Sequence, residues 1–524
     1  MSRILEPSNS QEEELYFEED GSDTYHSGDS GLYEMDHRPI LERTAVKKDI
    51  KEFLAGLPDD VQELYAVVDK LGEGTFSSVY LANDKEHDGF DNHYWAEEDP
   101  ADMPKEDLPP ARLALKKILA TSSPARISNE LAILESLRGC RNVSQLVTAF
   151  RHLDQVIIVL PYHQSDDFRY FYRHMDASHM QLYMKSLFQA LKDIHQRGIV
   201  HRDVKPANFL FDYESCTGVL CDFGLAERYV PPRKSCCQHA PATLTTLHGA
   251  KQSFSDTKVV EQAVYQARTK AKLGEGRVGF LHEDKRNAIK TNRAGTRGFR
   301  APEVLLKCPD QTVGIDIWSA GIMLLSMLTH KFPIFNSNDD VEALMEIAAV
   351  FGRAQVEKYR TIVCNLPTLD SSPNSIKNLI LKVNPHLYTP PLSHPTSEQA
   401  REHIEAMDQA MDLCSQLLRL DVTRRPTAAQ VLRHKFFAKI ADEEDLEDIK
   451  VLDFAQGACG ALHGVDELGR RKLSCARIVG LAHQLTMQIG PCLAARFGRC
   501  TLAWVSQPLS MTVRPCLLPM LGRY

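Results

Sequence analysis

The chain has no CxxC pair among its 13 cysteines, and that count is odd; only Cys236 and Cys237 are adjacent. Neither a disulfide framework nor a standard zinc module is written in such spacing, and a reducing compartment is the simpler expectation. There is no apolar h-region behind the N-terminus, whose first residues turn acidic at once, so no secretory signal is expected. No stretch supplies about 20 clean apolar residues for a membrane span. An excess of positive charge is missing too: 61 basic residues face 70 acidic ones, for a net charge of −9, which argues against bulk nucleic-acid binding by the core. What is present suits a soluble intracellular enzyme. The chain is 524 residues long, 43% hydrophobic and 25% charged, which excludes a wholly disordered chain, a collagen and a disulfide-stapled mini-protein.

Residues 1–36 hold 11 acidic residues against Arg3 alone and bury too little apolar surface to offset their ordering entropy, so residues 1–44 read as an acidic disordered tail. Val46, Ile50, Phe53 and Leu54 then fall at helical spacing, ended by Gly56 and Pro58. Short apolar strands around a glycine turn follow from Tyr65 to Ala82. Residues 84–110, with ten carboxylates, two lysines and four prolines, interrupt the strand pattern and read as an inserted loop before Leu113 resumes it. Ile127, Leu131 and Leu134 mark an amphipathic helix, Val156 to Leu160 a buried strand, and Leu187, Leu191 and Ile194 a helix ending at Gly198. Beyond it the chain reads as predominantly helical to about Phe437. Strands first and helices later predict an α+β chain of two unlike lobes, over 45–162 and 163–438. Residues 228–292 and 366–400 read as further insertions. The extension 439–524 receives no fold; its last part, 468–524, has eight Lys or Arg, no acid and four cysteines.

Four motifs carry the chemistry. Leu71, Gly72, Glu73, Gly74, Thr75, Phe76, Ser77, Ser78 and Val79 form a glycine turn after a strand, where backbone N–H groups can approach phosphate oxygens with no Cβ in the way. Lys116 ends an apolar strand, and Glu130 on the following helix is placed to pair with it. The run Val200 to Leu210, VHRDVKPANFL, sets Asp203, Lys205 and Asn208 within six residues, suited to a base, a cation and an amide oxygen for a metal. Asp222, in Asp222-Phe223-Gly224, lies nineteen residues past Asp203 and adds an oxygen ligand for a hard cation.

In this order, and with Ala301-Pro302-Glu303, Asp316 in DIWSAG and Arg425 in RRPT, the sequence resembles the eukaryotic protein kinase family over roughly residues 65–437. The resemblance implies a bilobal fold, with a small β-rich N-lobe holding one key helix and a larger helical C-lobe. It implies ATP and Mg²⁺ as cofactors. Asp203 would accept the substrate hydroxyl proton and Lys205 would steady the γ-phosphate. Asn208 and Asp222 would hold Mg²⁺, and Lys116, fixed by Glu130, would contact the α- and β-phosphates. Leu160 would gate the adenine pocket, with the hinge from Pro161 through Tyr162 to His163. Lys205 in HRDxKPxN and Thr296, seven residues before Glu303, resemble the serine/threonine class, and Asp316 and Arg425 would anchor the catalytic loop and Glu303. One departure is Ser77, which stands at the third glycine of the loop.

GEGTFSSVY at Gly72 to Tyr80, GTRGFRAPEVL at Gly295 to Leu305 and the three insertions are similar to the cell division cycle seven kinases. Asp222 and Glu303 are 81 residues apart, which places a large insertion in the activation segment. That resemblance implies a nuclear serine/threonine kinase of DNA replication origins, acting on the MCM helicase and dependent on a DBF-four type regulatory subunit. Arg293, Arg297 and Arg300 cluster before Ala301 and are candidates for recognising an acidic substrate, against pairing with an internal carboxylate or phosphate. Cys236, Cys237, His239 and His248 make a poor zinc set by spacing. The competing readings are a constitutive acid-directed kinase resembling casein kinase two, and a silent scaffold with a kinase fold. Direct nucleic-acid or membrane binding is not expected.

Overall fold

A computed structural model describes residues 40–74, 76–92, 110–230, 294–306, 311–352, 375–390 and 397–440, with the single positions 265, 269, 308 and 356 and the pair 471–472. Helices α1 (Ile40–Ala55) and α2 (Asp59–Leu64) precede β1 (Tyr65–Glu73) and β2 (Ser77–Asp84). A two-residue β3 (Phe90–Asp91) is followed by β4 (Arg112–Ile118), α3 (Pro124–Ser136), β5 (Thr148–His152) and β6 (Gln155–Pro161). Five of these strands form one antiparallel sheet in the order β1-β2-β4-β6-β5.

The period-2 alternation of β4 serves two cores at once. Leu113 and Leu115 join Phe53, Tyr80, Phe150 and Ile157 in the small-lobe core, where Phe53 and Tyr80 stack 4.0 Å apart. Lys116 and Ile118 are buried as well, but Ile118 belongs to the other core, with Ile133 and Leu134 of α3. α3 starts where Ser123 caps the Arg126 N–H and Pro124 takes the first turn, a position that has no need of its missing donor.

The larger lobe holds α4 (Phe168–Phe171), α5 (Ala177–Gln196), the short strands β7 (Ile199–Val200), β8 (Phe209–Asp212), β9 (Thr217–Leu220) and β10 (Glu227–Arg228), then α6 (Pro302–Leu305), α7 (Gly314–Thr329), α8 (Asp340–Phe351), α9 (Ile376–Val383), α10 (Ser397–Leu417) and α11 (Ala428–Val431). The four strands correct the expectation of helix directly after Gly198. They are brief because the HRDVKPANFL run turns back on itself, with β8 pairing β9 and β7 pairing β10. All sixteen residues of α7 are buried, so apolar side chains occur all round it, and its few polar ones, Asp316 among them, are spent on internal hydrogen bonds. At Gly321 a Cβ would come 2.9 Å from the Cβ of Leu417, which is how α10 approaches so closely.

The span 366–400, read as an insertion, contains α9 and the start of α10. β11 (Arg471–Lys472) pairs in parallel with β3, joining the C-terminal extension to the first insertion. The acidic tail up to residue 39, nearly all of the 228–292 insertion with its cysteines and histidines, and the rest of the extension lie outside the described residues. Among the described residues no helix is long and apolar enough to cross a membrane.

Candidate active site

The catalytic run lies between β7 and β8 and is pinned from below. Buried Asp316, in the first turn of α7, accepts the consecutive backbone N–H groups of His201 (2.9 Å) and Arg202 (2.8 Å) and a bond from His195 Nε2 (2.9 Å). Burial opposes its charge, but the His195 bond and the neighbouring histidines hold its carboxyl below the ordinary range. Arg202 sits at φ 71°, a left-handed conformation that costs about 1–3 kcal/mol and persists only where surroundings impose it. Asp316 is that surrounding. Gly295 approaches the same bend from the far side, at φ 105°, and a Cβ there would lie 2.4 Å from the Arg202 carbonyl, so only glycine fits.

This bend delivers Asp203. Its Oδ1 accepts the N–H and the hydroxyl of Thr296, both at 2.8 Å; its Oδ2 accepts Lys205 Nζ at 2.8 Å and Asn208 Nδ2 at 3.1 Å. Lys205 also donates to the Thr296 hydroxyl at 3.0 Å. Asn208 spends its amide N–H₂ on Asp203, and so leaves Oδ1, an oxygen donor suited to a hard cation.

Facing this cluster, Lys116 Nζ lies 2.7 Å from Glu130 Oε1 and 2.7 Å from Asp222 Oδ1. Burial would strip the ammonium of its charge, but the two carboxylates more than offset it and hold its pKa above the ordinary lysine range. Reciprocally, Lys116 outweighs desolvation at Asp222 and brings that carboxyl down to about 2. Asp222 sits at φ 62°, its neighbour Phe223 is buried against His201, and His201 Nε2 donates to the Cys221 carbonyl at 3.0 Å. At Gly224 a Cβ would come 3.2 Å from Asp222 Oδ1 and 3.3 Å from Glu130 Oε2, a crowding that glycine avoids.

Lys116, Asp203, Lys205, Asn208, Asp222 and Thr296 all line one cleft of about 430 Å³, roofed by Glu73, Gly74, Phe76 and Ser77. The roof is a tight turn: Gly74 N–H donates to the Ser77 carbonyl at 2.8 Å, and Gly72 faces Val79 across the β1–β2 ladder. Ser77 opens β2 opposite Ile118 and has no positive φ, so a side chain is tolerated where the third glycine was expected. Thr75 lies outside the described residues. Leu160 pairs with Ala114 in the sheet, and Tyr162 N–H donates to the Arg112 carbonyl at 3.2 Å; neither lines this cleft. His163 beside them is pushed down to about 4 by burial.

The donor set fits a nucleotide phosphate chain with a divalent cation. It offers the Asp222 carboxylate and the Asn208 amide oxygen to a cation and the Lys116 and Lys205 ammonium groups to phosphate. Among the described residues no group of three His, Cys, Asp or Glu is arranged to hold a metal ion.

The three arginines proposed for acidic substrates separate. Arg300 is committed internally, with Nη1 2.6 Å from Asp340 Oδ1 and Nε on the Gly295 carbonyl, the pairing weighed against it above. Arg297 is exposed, and Arg293 lies outside the described residues. Glu303 pairs with Arg425 at 2.8 Å, both buried.

Sequence reasoning missed a row of ties between α3 and the segment after Asp222. Arg126 Nε donates to the Gly224 carbonyl (2.8 Å), Asn129 Nδ2 to the Ala226 carbonyl (2.8 Å), and Arg228 to the Ala132 carbonyl (3.2 Å). Residues 126 and 129 share a helix face, a signal legible as spacing; their carbonyl partners lie about 97 positions away and leave no trace in side-chain chemistry.

Comparison with known proteins agrees with this geometry. The protein kinase domain family matches residues 110–269 and 242–437. The cell cycle serine/threonine-protein kinase hsk1 of Schizosaccharomyces pombe is 39% identical, over 76% of this chain and 76% of its own. A probable cell division control protein 7 homolog 2 of Encephalitozoon cuniculi is 34% identical over 74% of this chain and 95% of its own. The human cell division cycle 7-related protein kinase is 28% identical over 75% and 92%.

Proposed function

This chain belongs to the Cdc7-like serine/threonine protein kinases, and from that premise we propose that it transfers the γ-phosphate of Mg-ATP to serine or threonine in acidic contexts. We infer further that it phosphorylates the MCM helicase at replication origins in the nucleus, activated by a DBF-four type subunit. The observation that carries the chemical part is the two-sided grip on Asp203. Thr296 holds Oδ1, while Lys205 and Asn208 hold Oδ2, so the carboxylate is aimed without searching.

In this reading Asp203 accepts the proton of the substrate hydroxyl as the oxygen attacks, and Lys205, already at hand, meets the transferring phosphoryl group. Lys116 remains ammonium throughout because Glu130 and Asp222 flank it, and it neutralises phosphate charge nearer the leaving group. Asn208 and Asp222 would hold the divalent cation through oxygen, and that cation, when bound, screens the charge that collects on the phosphates. Acidic preference is supported by exposed Arg297, whereas Arg300 is occupied by Asp340. Charge reversal, Arg297→Glu, should relax the preference for an acidic neighbour about tenfold in kcat/KM; unchanged peptide specificity would sink that part.

One observation favours a second reading, a constitutive acid-directed kinase: in the single chain Lys116 already reaches both Glu130 and Asp222. Phosphate transfer from Mg-ATP to an acidic MCM-tail peptide separates the two, run with and without the DBF-four type subunit and with Asp203→Asn as the blank. Transfer only with the subunit supports the regulated reading, and strong transfer by the chain alone supports the constitutive one. Silence in both, with the pair shown to bind, leaves a scaffold.

A further inference from the structure

We propose that Arg126 is a positioning residue that clasps the tip of the glycine turn to α3 and to the Asp222 segment, and so slows nucleotide release. The inference rests on the kinase reading. It concerns a residue that neither the Lys116–Glu130 pair nor the Asp203 cluster involves.

Arg126 lies in the first turn of α3, four residues before Glu130, which puts both side chains on one helix face toward the cleft that both line. Its guanidinium has two partners on separate segments. Nε donates to the Gly224 carbonyl at 2.8 Å, two residues after Asp222, and the guanidinium carbon lies 3.7 Å from the centroid of the Phe76 ring. The planar, weakly hydrated guanidinium can do both at once, with its edge to an oxygen and its face to a ring. Gly224 is fitted to it: a Cβ there would come 3.4 Å from Arg126 Nη2. Phe76 is 41% exposed at the tip of the turn, where its carbonyl accepts the Leu119 N–H at 2.9 Å. An aromatic ring at a turn tip has little to pack on, and the guanidinium gives it a platform.

The clasp acts on nucleotide release if the roof moves as nucleotide leaves the cleft beneath it. A contact made in the closed arrangement and lost in the open one biases the equilibrium toward closure by its own free energy. Because its other end is the Gly224 carbonyl, closure also depends on where the Asp222 segment stands. Asn129 ties α3 to that segment one turn on, through the Ala226 carbonyl.

The test uses the full chain, with Arg126→Lys, Phe76→Leu, their double variant and Asn129→Ala. Hydrogen exchange of residues 72–81 is followed without nucleotide, and dissociation of a fluorescent ADP by stopped flow. Arg126→Lys keeps the charge and stem but loses the planar fork, and Phe76 is exposed enough for leucine to leave the fold intact. Each single variant should raise both rates about fivefold, the scale of one cation–π contact. The double variant should be no faster than the faster single, because the two residues share one contact. Asn129→Ala should leave exchange of 72–81 as it was. Multiplicative effects in the double variant, an unchanged rate in either single, or an equal rise in Asn129→Ala would each overturn the clasp. The exchange measurement needs no nucleotide, so it decides the clasp by itself; failure of ADP to bind would count instead against the ATP reading.

Discussion

Asp203 and Asp222 face each other across one cleft, yet they are held in different ways. Every partner of Asp203 comes from the larger lobe: Thr296, Lys205, Asn208, and beneath them Asp316 gripping the backbone of the same loop. Asp222 has a larger-lobe backbone but takes its cation, Lys116, from the sheet of the small lobe, and Lys116 is shared with Glu130 on α3. The acid–base half is therefore complete within one lobe. The phosphate half exists only while sheet, α3 and the Asp222 segment stand together, joined by the core of Ile118, Ile133, Leu134 and Phe223 and by the ties at Arg126, Asn129 and Arg228. A regulator acting on this site has far more to move in the second half than in the first.

The largest expected effect comes from the half that is complete. Asp203→Asn should cut kcat roughly 10³-fold, the usual worth of a positioned general base, while the KM for ATP changes little. A KM effect equal to the kcat effect would mean that the loop had lost its shape, and the contrast between the halves would fail.

Next comes the conditional half. Lys116→Met removes one phosphate-facing charge and should cost roughly 10²-fold in kcat/KM for ATP. It should also move an acid transition of the nucleotide-free chain. The pKa of Asp222 is depressed to about 2 in the fold from 3.8, so its ionised form contributes stability present above pH 3.8 and lost as pH falls toward about 2. Lys116 has the opposite sign: its raised pKa contributes stability present below pH 10.5 and lost at higher pH. The pair is thus intact across the neutral range. In Lys116→Met the depression at Asp222 should vanish and the acid midpoint should rise; an unmoved midpoint, followed by circular dichroism, would show that the pair is not what depresses Asp222.

The smallest effect is expected at the roof itself. Ser77→Gly restores the third glycine at a strand position of ordinary φ, where glycine costs about 0.5–1 kcal/mol in backbone entropy. The KM for ATP should stay within about threefold of the parent. A tenfold gain in affinity would show that Ser77 restricts the approach of the roof to phosphate.

Much of this site was legible before any coordinates. Lys116, Asp203, Asn208 and Asp222 stand out because the motifs that carry them follow the order of the protein kinase family, and short spacings within VHRDVKPANFL leave few geometries open. Thr296 and Glu130 were readable from the same order. Arg300 was not: its commitment to Asp340 depends on where α8 packs, forty residues on. The short strands β7 to β10 carry no periodic signal, because two- and four-residue pairings are too brief to show one.

Local sequence by itself determined the chemistry, the alternation of β4 that buries Leu113 and Leu115 while turning Lys116 to the cleft, and the Ser123 cap that begins α3. Those are effects of near neighbours, set by backbone stereochemistry and side-chain type. Only the tertiary structure decided which charges meet. Lys116 reaches across 106 positions to Asp222, Arg425 across 122 to Glu303, and Arg126 across 98 to a carbonyl that any residue type supplies. Pairings of that kind depend on how whole elements pack, and a backbone oxygen carries no signature in the sequence that supplies it.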